Sequence, residues 1–304
     1  MVKVEECVVV NEVVHHDSGD AEIWDSIIVP GEVKEQLRNQ ALLSLLVRPS
    51  SPFVATALHG MCTLYGPPGT GKTTLARGLP QQLAGFVAGR AVRLIEVNPH
   101  GLMSAEHGQS QQRVDELLGD HVPSLAADGV PTVVVLDEVE SMAVARSAAS
   151  LAANPADVHR ATDAVLTALD RNAQLHPHLF VVATSNFTAA LDEAFLSRSD
   201  AAILVPLPDA AALLAILRST LSALATQYPA LRHLAQCQGL AAIAGRAVGL
   251  DGRRARKTVF QALARRLDTV LDPGSLTVDD LAETVDAIVS QGTIEPEAGR
   301  DAAA

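Results

Sequence analysis

The stretch "LYGPPGTGKTT", residues 64–74, decides the fold. It satisfies the pattern G-x-x-x-x-G-K-[ST] directly after an apolar run and at the start of a helical pattern. Glycines let the backbone curl so that its N–H groups surround phosphate oxygens. In such a loop Lys72 reaches the β- and γ-phosphates, and the Thr73 hydroxyl coordinates Mg²⁺. The predicted ATP-binding residues are Gly66, Pro67, Pro68, Gly69, Thr70, Gly71, Lys72, Thr73 and Thr74.

Short apolar runs alternate with helical patterns between residues 20 and 206. This alternation predicts a parallel sheet covered by helices on both faces, which is the α/β class. Pro80 should kink or end the helix that follows the glycine-rich loop. The five predicted strands are residues 61–65, 92–97, 132–137, 179–184 and 202–206.

The pattern becomes helical after "PLPD", residues 206–209, with Asp209 and Thr277 as expected N-caps. The predicted helices are residues 209–227, 231–246, 252–269 and 277–290. We therefore expect a short N-terminal segment, a large ATPase domain, a small helical lid domain and a disordered tail. These are residues 1–20, 21–207, 208–291 and 292–304.

The composition limits the cellular setting. Three cysteines lie far apart in 304 residues, which argues against a disulfide framework and fits a reducing compartment. The N-terminus is acidic where a signal peptide is basic, and no apolar run approaches the roughly 18 residues of a membrane span. A net charge of −12 argues against broad nucleic-acid binding. We expect a soluble, cytoplasmic protein that binds neither membrane nor nucleic acid.

Three further motifs predict catalytic groups. In "TVVVLDEVES", Asp137 ends a buried strand and can hold Mg²⁺, while Glu138 can polarise the water that attacks the γ-phosphate. Asn186 in "VVATSN" ends the next strand and can touch the γ-phosphate or that water. Arg198 in "LDEAFLSRSD" is either an arginine finger for a neighbouring subunit or an exposed arginine paired with Asp200.

This order of motifs, with a helical region after it, resembles an AAA+ ATPase over about residues 22–270. Within that superfamily the chain is similar to the pachytene-checkpoint/thyroid-receptor-interactor family of HORMA-domain remodellers. The segments that carry this resemblance are "IWDSIIVPGEVKEQL", "LDEVESMAVAR", "ADVHRATDAVLTALD", "TSNFTAALDEAFLSRSD" and "GLDGRRARK". The last is the most specific, because most AAA+ lids lack a Gly-Leu-x-Gly-Arg run followed by Arg-Lys.

The resemblance implies a homo-hexamer with ATP and Mg²⁺ at subunit interfaces. It makes Arg253 the sensor-2 residue, which contacts nucleotide phosphate, whereas the neighbouring Arg254, Arg256 and Lys257 face solvent or another subunit. Only about 20 residues precede the AAA+ core, so we expect a short bacterial-type member that engages its HORMA partner directly. That partner is expected to bind a cyclic-oligonucleotide synthase in antiphage signalling.

The central pore departs from the usual threading pattern. Residues 98–110, at the position of the first pore loop, contain no Phe, Tyr or Trp. Leu102, Met103 and His107 are the available gripping groups, and Arg160 ends the predicted second pore loop. Two alternatives stay open: a DNA-directed AAA+ loader and a nucleotide-binding scaffold without hydrolysis.

Overall fold

The computed structural model describes residues 4–16, 21–99, 109–143, 155–187 and 191–292. The chain forms two compact units. The first contains Met1–Gly66 and Lys72–Val205, and the second contains Pro67–Gly71 and Pro206–Ala304. The middle of the glycine-rich loop thus groups with the helical unit, although residues of the first unit flank it in sequence.

The first unit is built on a six-stranded sheet in the order β1-β3-β4-β5-β2-β6. The strands are β1 (Val8–His15), β2 (Met61–Tyr65), β3 (Ala91–Val97), β4 (Thr132–Leu136), β5 (Leu179–Ser185) and β6 (Ala201–Leu204). Strands β2 to β6 pair with one another in parallel, as predicted.

The edge strand β1 was not predicted, so the expected count of five strands was one too low. It pairs antiparallel with β3, from Val8 opposite Val97 to His15 opposite Ala91. Val8, Val10 and Val14 of β1 are half-buried, and the other five side chains of the strand are exposed. The strand therefore lacks the continuous apolar run that marks β2, β4 and β5.

The strands β2 to β5 are buried because apolar side chains pack on both faces of the sheet. Met61 and Val134 belong to one core cluster, and Cys62 and Val133 belong to the cluster on the other face. This two-sided burial is the reason that β2, β4 and β5 are nearly continuous apolar runs, whereas β3 also contains Arg93 and Glu96. The five predicted strands agree with the structure to within two residues at each end.

The described helices of the first unit cover this sheet, and a π-helical stretch, Asp115–His121, joins α5 to α6. The α-helices are α1 (Ala21–Ser26), α2 (Gly31–Val47), α3 (Phe53–Thr56), α4 (Lys72–Ala84), α5 (Gln109–Val114), α6 (Val122–Leu125), α7 (Pro155–Leu175) and α8 (Glu193–Ser197). Pro80 lies inside α4 and does not end it, since the helix continues to Ala84. The apolar face of α4 packs in the core on both sides of Pro80, through Leu75 and Leu83.

The second unit is helical. Its helices are α9 (Ala210–Leu224), α10 (Leu231–Gln236), α11 (Gly239–Arg246), α12 (Gly252–Leu263), α13 (Leu267–Leu271) and α14 (Val278–Gly292). Both predicted N-caps are confirmed: Asp209 Oδ1 accepts the Ala212 N–H at 2.7 Å, and Thr277 Oγ1 accepts the Asp280 N–H at 3.2 Å. Among the described residues of either unit, no helix combines the length and apolarity needed to cross a membrane.

Two of the four helices predicted for this unit are each two helices in the structure. Residues 231–246 are interrupted at Cys237, whose φ of −65° and ψ of 136° are extended. Residues 252–269 are interrupted at Arg266, with φ of −130° and ψ of 143°. The apolar periodicity continues across both breaks, which is why the sequence pattern does not reveal them.

At the amino ends of the parallel strands, the Asp200 carboxylate bonds to backbone N–H groups. Its Oδ1 accepts the His59 N–H at 2.9 Å, and its Oδ2 accepts those of Gly60 and Met61 at 2.7 and 3.2 Å. The carboxylate thereby fixes the chain as it enters β2. Asp200 directly precedes β6, so one side chain joins the starts of two neighbouring strands.

The Arg48 guanidinium lies at the same end of the sheet and is only 4% exposed. It donates to the carbonyl oxygens of Leu179 and Ala173 at 2.8 and 3.2 Å, and to Ser44 Oγ at 3.1 Å. Burial lowers the pKa of this guanidinium. A Cβ atom on Gly60 would lie 1.4 Å from Arg48 Nη1, so the glycine makes room for the charge.

The three cysteines are free thiols in different surroundings. Cys62 on β2 is completely buried, and Cys7 is 4% exposed. Burial raises the pKa of both thiols. Cys237, which follows α10 in the helical unit, is half-buried.

Candidate active site

The glycine-rich loop has the backbone geometry of a phosphate cradle. Gly66, Gly69 and Gly71 have φ values of 142°, 77° and 97°, which L side chains rarely adopt. The buried Lys72 donates from Nζ to the Gly66 carbonyl at 2.8 Å, so its ammonium lies within the loop. A Cβ on Gly66 would lie 2.3 Å from the Val205 carbonyl oxygen. The loop therefore requires glycine at its start and carries a cation at its end, which fits a nucleotide phosphate.

The central part of the loop packs against the start of α12 within the second unit. Asp251 is the N-cap of α12, and its Oδ1 accepts the Arg254 N–H at 2.9 Å. The Arg253 N–H donates to the Gly69 carbonyl at 3.2 Å, while the Arg253 side chain is exposed. A Cβ on Gly69 would lie 2.2 Å from Asp251 Oδ1. The predicted sensor residue is thus bonded to the predicted phosphate loop through its backbone.

The predicted metal ligands meet at the carboxyl ends of the strands. Thr73 Oγ1 and Thr184 Oγ1 each donate to Asp137 Oδ1 at 2.5 Å. Thr73 lies in the first turn of α4, Asp137 follows β4, and Thr184 belongs to β5. Because the Thr73 proton points to the carboxylate, its oxygen lone pairs can bind a cation. This carboxylate and hydroxyl set fits Mg²⁺, which prefers oxygen ligands.

Glu138 lies beside this cluster in a left-handed backbone conformation, with φ of 51° and ψ of 53°. Its N–H donates to Thr184 Oγ1 at 3.1 Å. Asn186 Nδ2 lies 3.5 Å from Glu138 Oε1, and the Asn186 N–H donates to Glu140 Oε1 at 3.1 Å. The predicted base Glu138 and Asn186 are therefore neighbours, and the backbone N–H of each donates to a side-chain oxygen.

The remaining predicted loop residues have less specific surroundings. Pro68 is exposed, and Thr74 is half-buried in the first turn of α4. Thr70 is 6% exposed, and its hydroxyl donates to the Pro67 carbonyl at 3.0 Å, which closes the turn. These contacts shape the loop. The predicted chemistry depends instead on the Lys72 ammonium and on the carboxylates of Asp137 and Glu138.

Comparisons with known proteins agree with this geometry. The model of the AAA family, described as "ATPase family associated with various cellular activities", matches residues 62–207. CD-NTase-associated protein 6 of Pseudomonas aeruginosa is 45% identical over 269 residues, which cover 88% of each chain. The pachytene checkpoint protein 2 homolog of Danio rerio is 32% identical over 84% of this chain and 66% of that protein. The chain belongs to this family of AAA ATPases.

The AAA ATPase fold extends over nearly the whole chain. A chain in the structure of the E. coli MS115-1 HORMA:CdnC:Trip13 complex superposes with a TM-score of 0.70 and 18% sequence identity. The match covers 94% of the present chain and 97% of that one. At this identity the likeness shows the fold, and it includes both the sheet and the C-terminal helices.

The predicted arginine finger of this AAA ATPase is paired with a residue that the sequence did not indicate. Arg198 Nε and Nη2 donate to the two carboxylate oxygens of Asp170 at 2.7 Å each, and Nη1 donates to the Ala194 carbonyl at 2.8 Å. The alternative pairing with Asp200 is wrong, because Asp200 bonds to backbone N–H groups instead. Arg198 precedes β6 at the amino end of the sheet, whereas Gly66 follows β2 at the carboxyl end.

The structure describes one of the four predicted pore residues. Leu102, Met103 and His107 lie outside the described residues. Arg160 is exposed on α7. The roles of these four residues in gripping a substrate stay predictions.

Sequence reasoning missed Thr184, Asp170 and Glu140. Thr184 stands two positions before Asn186 in a run of otherwise apolar side chains, and a polar residue at the carboxyl end of a buried strand is a usable signal. Asp170 lies in α7, far from Arg198 in sequence, and only the packing of α7 reveals the pair. Glu140 follows the acid pair, and its contact depends on a left-handed turn that the sequence does not mark.

Proposed function

We propose that this AAA ATPase is an ATP-dependent remodeller that opens HORMA-domain proteins and disassembles their complexes. Its biological setting would be the restraint of a bacterial cyclic-oligonucleotide antiphage system. The similar protein at 45% identity is named for its association with a CD-NTase. The similar fold comes from a complex whose name contains HORMA, CdnC and Trip13. These two findings support the substrate class and the signalling system.

The observation that carries ATP hydrolysis is the group of Thr73, Asp137 and Glu138 beside the glycine-rich loop. Bound Mg²⁺ would offset the negative charge of the β- and γ-phosphates. Thr73 and Asp137 would hold that ion, and Lys72 would bind the phosphates. Glu138 accepts a proton from the attacking water as the general base. Asn186 lies near the Glu138 carboxylate and orients the same water.

The position of Arg198 supports a ring with shared sites. It lies at the end of the sheet opposite to its own phosphate loop, so its proposed target is the nucleotide of a neighbouring copy. A homo-hexamer of this family would place such a residue at each interface. The Arg253 backbone bond to Gly69 supports a role for Arg253 in sensing the state of the nucleotide. We place this assembly in the cytoplasm.

The proposal is tested with the purified full chain and a bacterial HORMA-domain protein, with and without the cyclic-oligonucleotide synthase that this HORMA protein binds. ATP turnover is measured in Mg²⁺ buffer with the HORMA protein alone, with double-stranded DNA, and with neither. Dissociation of the HORMA–synthase complex is followed by size-exclusion chromatography. We expect the HORMA protein to stimulate turnover and ATP to release the synthase.

A different pattern would overturn the proposal. Stimulation by DNA but not by the HORMA protein would favour a DNA-directed loader. Absence of turnover under every condition would favour a nucleotide-binding scaffold. The ATP analogue that cannot be hydrolysed serves as the control, because it should bind without releasing the synthase.

A further inference from the structure

The hydroxyl of Thr184 lies between the two acidic residues of the site. Thr184 is the penultimate residue of β5 and is 1% exposed. Its Oγ1 donates to Asp137 Oδ1 at 2.5 Å and accepts the Glu138 N–H at 3.1 Å. A single buried hydroxyl thus contacts the side chain of the proposed metal ligand and the backbone of the proposed base.

The direction of these hydrogen bonds fixes the orientation of the acid. A hydroxyl has one proton and two lone pairs, so Thr184 uses its proton on Asp137 and a lone pair on Glu138. Asp137 Oδ1 accepts a second hydroxyl proton, that of Thr73, from α4. The carboxylate is therefore held from two elements at once, and rotation about its χ angles would break both bonds.

The backbone of Glu138 also depends on a local partner. A non-glycine residue with φ of 51° occupies a sparsely populated region, and such a conformation persists only when the surroundings favour it. The left-handed turn directs the Glu138 N–H at Thr184, and the Glu138 carbonyl accepts the Ser141 N–H at 3.0 Å. Both backbone polar groups of the base are therefore bonded, on opposite sides of the turn.

We propose that Thr184 is a positioning residue that sets the geometry of both acids, Asp137 for the metal ion and Glu138 for the attacking water. The proposal rests on ATP hydrolysis as the function of this site. We assign this hydroxyl no contact with the nucleotide. It acts by holding Asp137 in the direction of Thr73 and by holding the left-handed turn that begins at Glu138.

The chain offers matched variants for this role. In Thr184→Val the β-branched shape that suits a strand is retained and the hydroxyl is lost. In Thr184→Ser the hydroxyl is retained and the methyl group is lost. Thr132→Val is the control, because Thr132 is also fully buried but lies at the amino end of β4, where its hydroxyl donates to the Val130 carbonyl at 2.7 Å.

Three measurements separate positioning from simple loss of stability. The first is steady-state ATP turnover of the full chain. We expect Thr184→Val to lower kcat by at least about tenfold with KM within about threefold of wild type, since the hydroxyl orients catalytic groups without binding the nucleotide. Thr184→Ser and Thr132→Val should stay within about threefold of the wild-type kcat.

The second and third measurements do not require turnover. The Mg²⁺ concentration for half-maximal binding of a fluorescent ATP analogue should rise at least about threefold in Thr184→Val only, because Asp137 loses one of its anchors. Hydrogen exchange of the free protein, measured on peptides that contain Glu138, should accelerate in Thr184→Val and remain slow in Thr184→Ser.

The outcomes are decisive in each case. Wild-type Mg²⁺ dependence and wild-type exchange in Thr184→Val would overturn the proposal, even if that variant melted at a lower temperature. If Thr184→Val did not fold, Thr184→Ala would take its place with the same expectations. A wild-type protein without ATP turnover would contradict the proposed function instead, while the Mg²⁺ and exchange measurements would still decide the role of Thr184.

Discussion

The two ends of the parallel sheet both carry charged side chains, but they satisfy those charges differently. At the amino end, Asp200 accepts three backbone N–H groups, and Arg48 donates to two backbone carbonyl oxygens. At the carboxyl end, the Asp137 carboxylate is bonded by the hydroxyls of Thr73 and Thr184. Backbone groups keep their positions as long as the protein is folded. A side-chain hydroxyl, in contrast, can give up one hydrogen-bond partner and bind a ligand instead.

This difference predicts that Asp200 and Arg48 serve stability at the amino end, and that Asp137 and Glu138 serve chemistry at the carboxyl end. A charged side chain that bonds to backbone groups is held in one position. Removal of that charge should therefore destabilise the fold. Side-chain partners leave the carboxylates able to respond to a metal ion and a nucleotide. Ligand sites at the carboxyl ends of strands are the general rule in open α/β sheets. The following variants test the distinction.

The largest effect is expected from Glu138→Gln at the carboxyl end. The amide cannot accept the proton of the attacking water, so kcat should fall on the order of 10³-fold. Binding of the fluorescent ATP analogue and the melting temperature should change little, because the amide nearly matches the shape of the carboxylate. Turnover, nucleotide binding and thermal unfolding are the three measurements.

Asp163→Asn is the matched control for that variant, because Asp163 is exposed on α7 and undergoes the same chemical change. It should retain full turnover. If Glu138→Gln hydrolysed ATP at the wild-type rate, the assignment of the general base would be wrong. If it lowered the melting temperature strongly, the separation of chemistry from stability would fail at this end of the sheet.

Arg48→Met at the amino end should lower the free energy of unfolding by about 3 kcal/mol, because it leaves buried carbonyl oxygens without a donor. Turnover per folded molecule should be unchanged. Urea unfolding followed by circular dichroism measures the first quantity, and ATP turnover at low temperature measures the second. Arg218→Met, at an exposed position of α9, should leave both within error of wild type. Lost turnover at unchanged stability would contradict the distinction.

The smallest effect concerns Arg198 and Asp170, where a charge at the amino end has a side-chain partner. The Arg198 guanidinium holds the pKa of Asp170 below its usual value. The pair therefore contributes stability above the unfolded pKa of about 3.9, and the contribution is lost as the pH falls through the lower folded pKa. With Arg198 and Asp170 side chains 20% and 39% exposed, Asp170→Asn should cost less than about 1 kcal/mol at neutral pH.

The test is the free energy of unfolding of wild type and Asp170→Asn as a function of pH. The two curves should differ by a constant amount above about pH 5 and converge below about pH 4. Asp286→Asn, in the exposed Arg246–Asp286 pair, is the control and should show a smaller difference. A difference between wild type and Asp170→Asn that did not shrink at all between pH 5 and pH 3 would show that its origin is not the ionised pair.

The sequence predicts the parts of this fold that depend on local pattern. The buried strands and the glycine-rich loop carry largely apolar runs and fixed spacings, so their positions follow directly. The strand β1 does not, since its pairing with β3 spans a long stretch of chain and only Val8, Val10 and Val14 are half-buried. The breaks at Cys237 and Arg266 are backbone changes that leave the apolar periodicity intact.

The candidate site shows the same division. Lys72, Thr73 and Asp137 are predictable because motif and strand end coincide. Thr184 becomes visible only when the register of β4 and β5 places it opposite the acid pair, with Leu136 beside Ala183. Asp170 becomes visible only when α7 is packed against the start of β6. Residues predicted to contact the ligand are thus indicated by local patterns, and residues proposed to orient them are indicated by tertiary structure.

The three thiols of the chain give it a natural site for chemical labelling. The thiolate is the nucleophile that attacks an alkylating reagent, so burial that raises the pKa of Cys7 and Cys62 protects both from modification. Cys237 is half-buried and follows α10. A maleimide dye added to the unmodified protein would therefore select Cys237. A reporter on the helical unit is available without removing any cysteine, and the sheet that carries the predicted catalytic acids stays unlabelled.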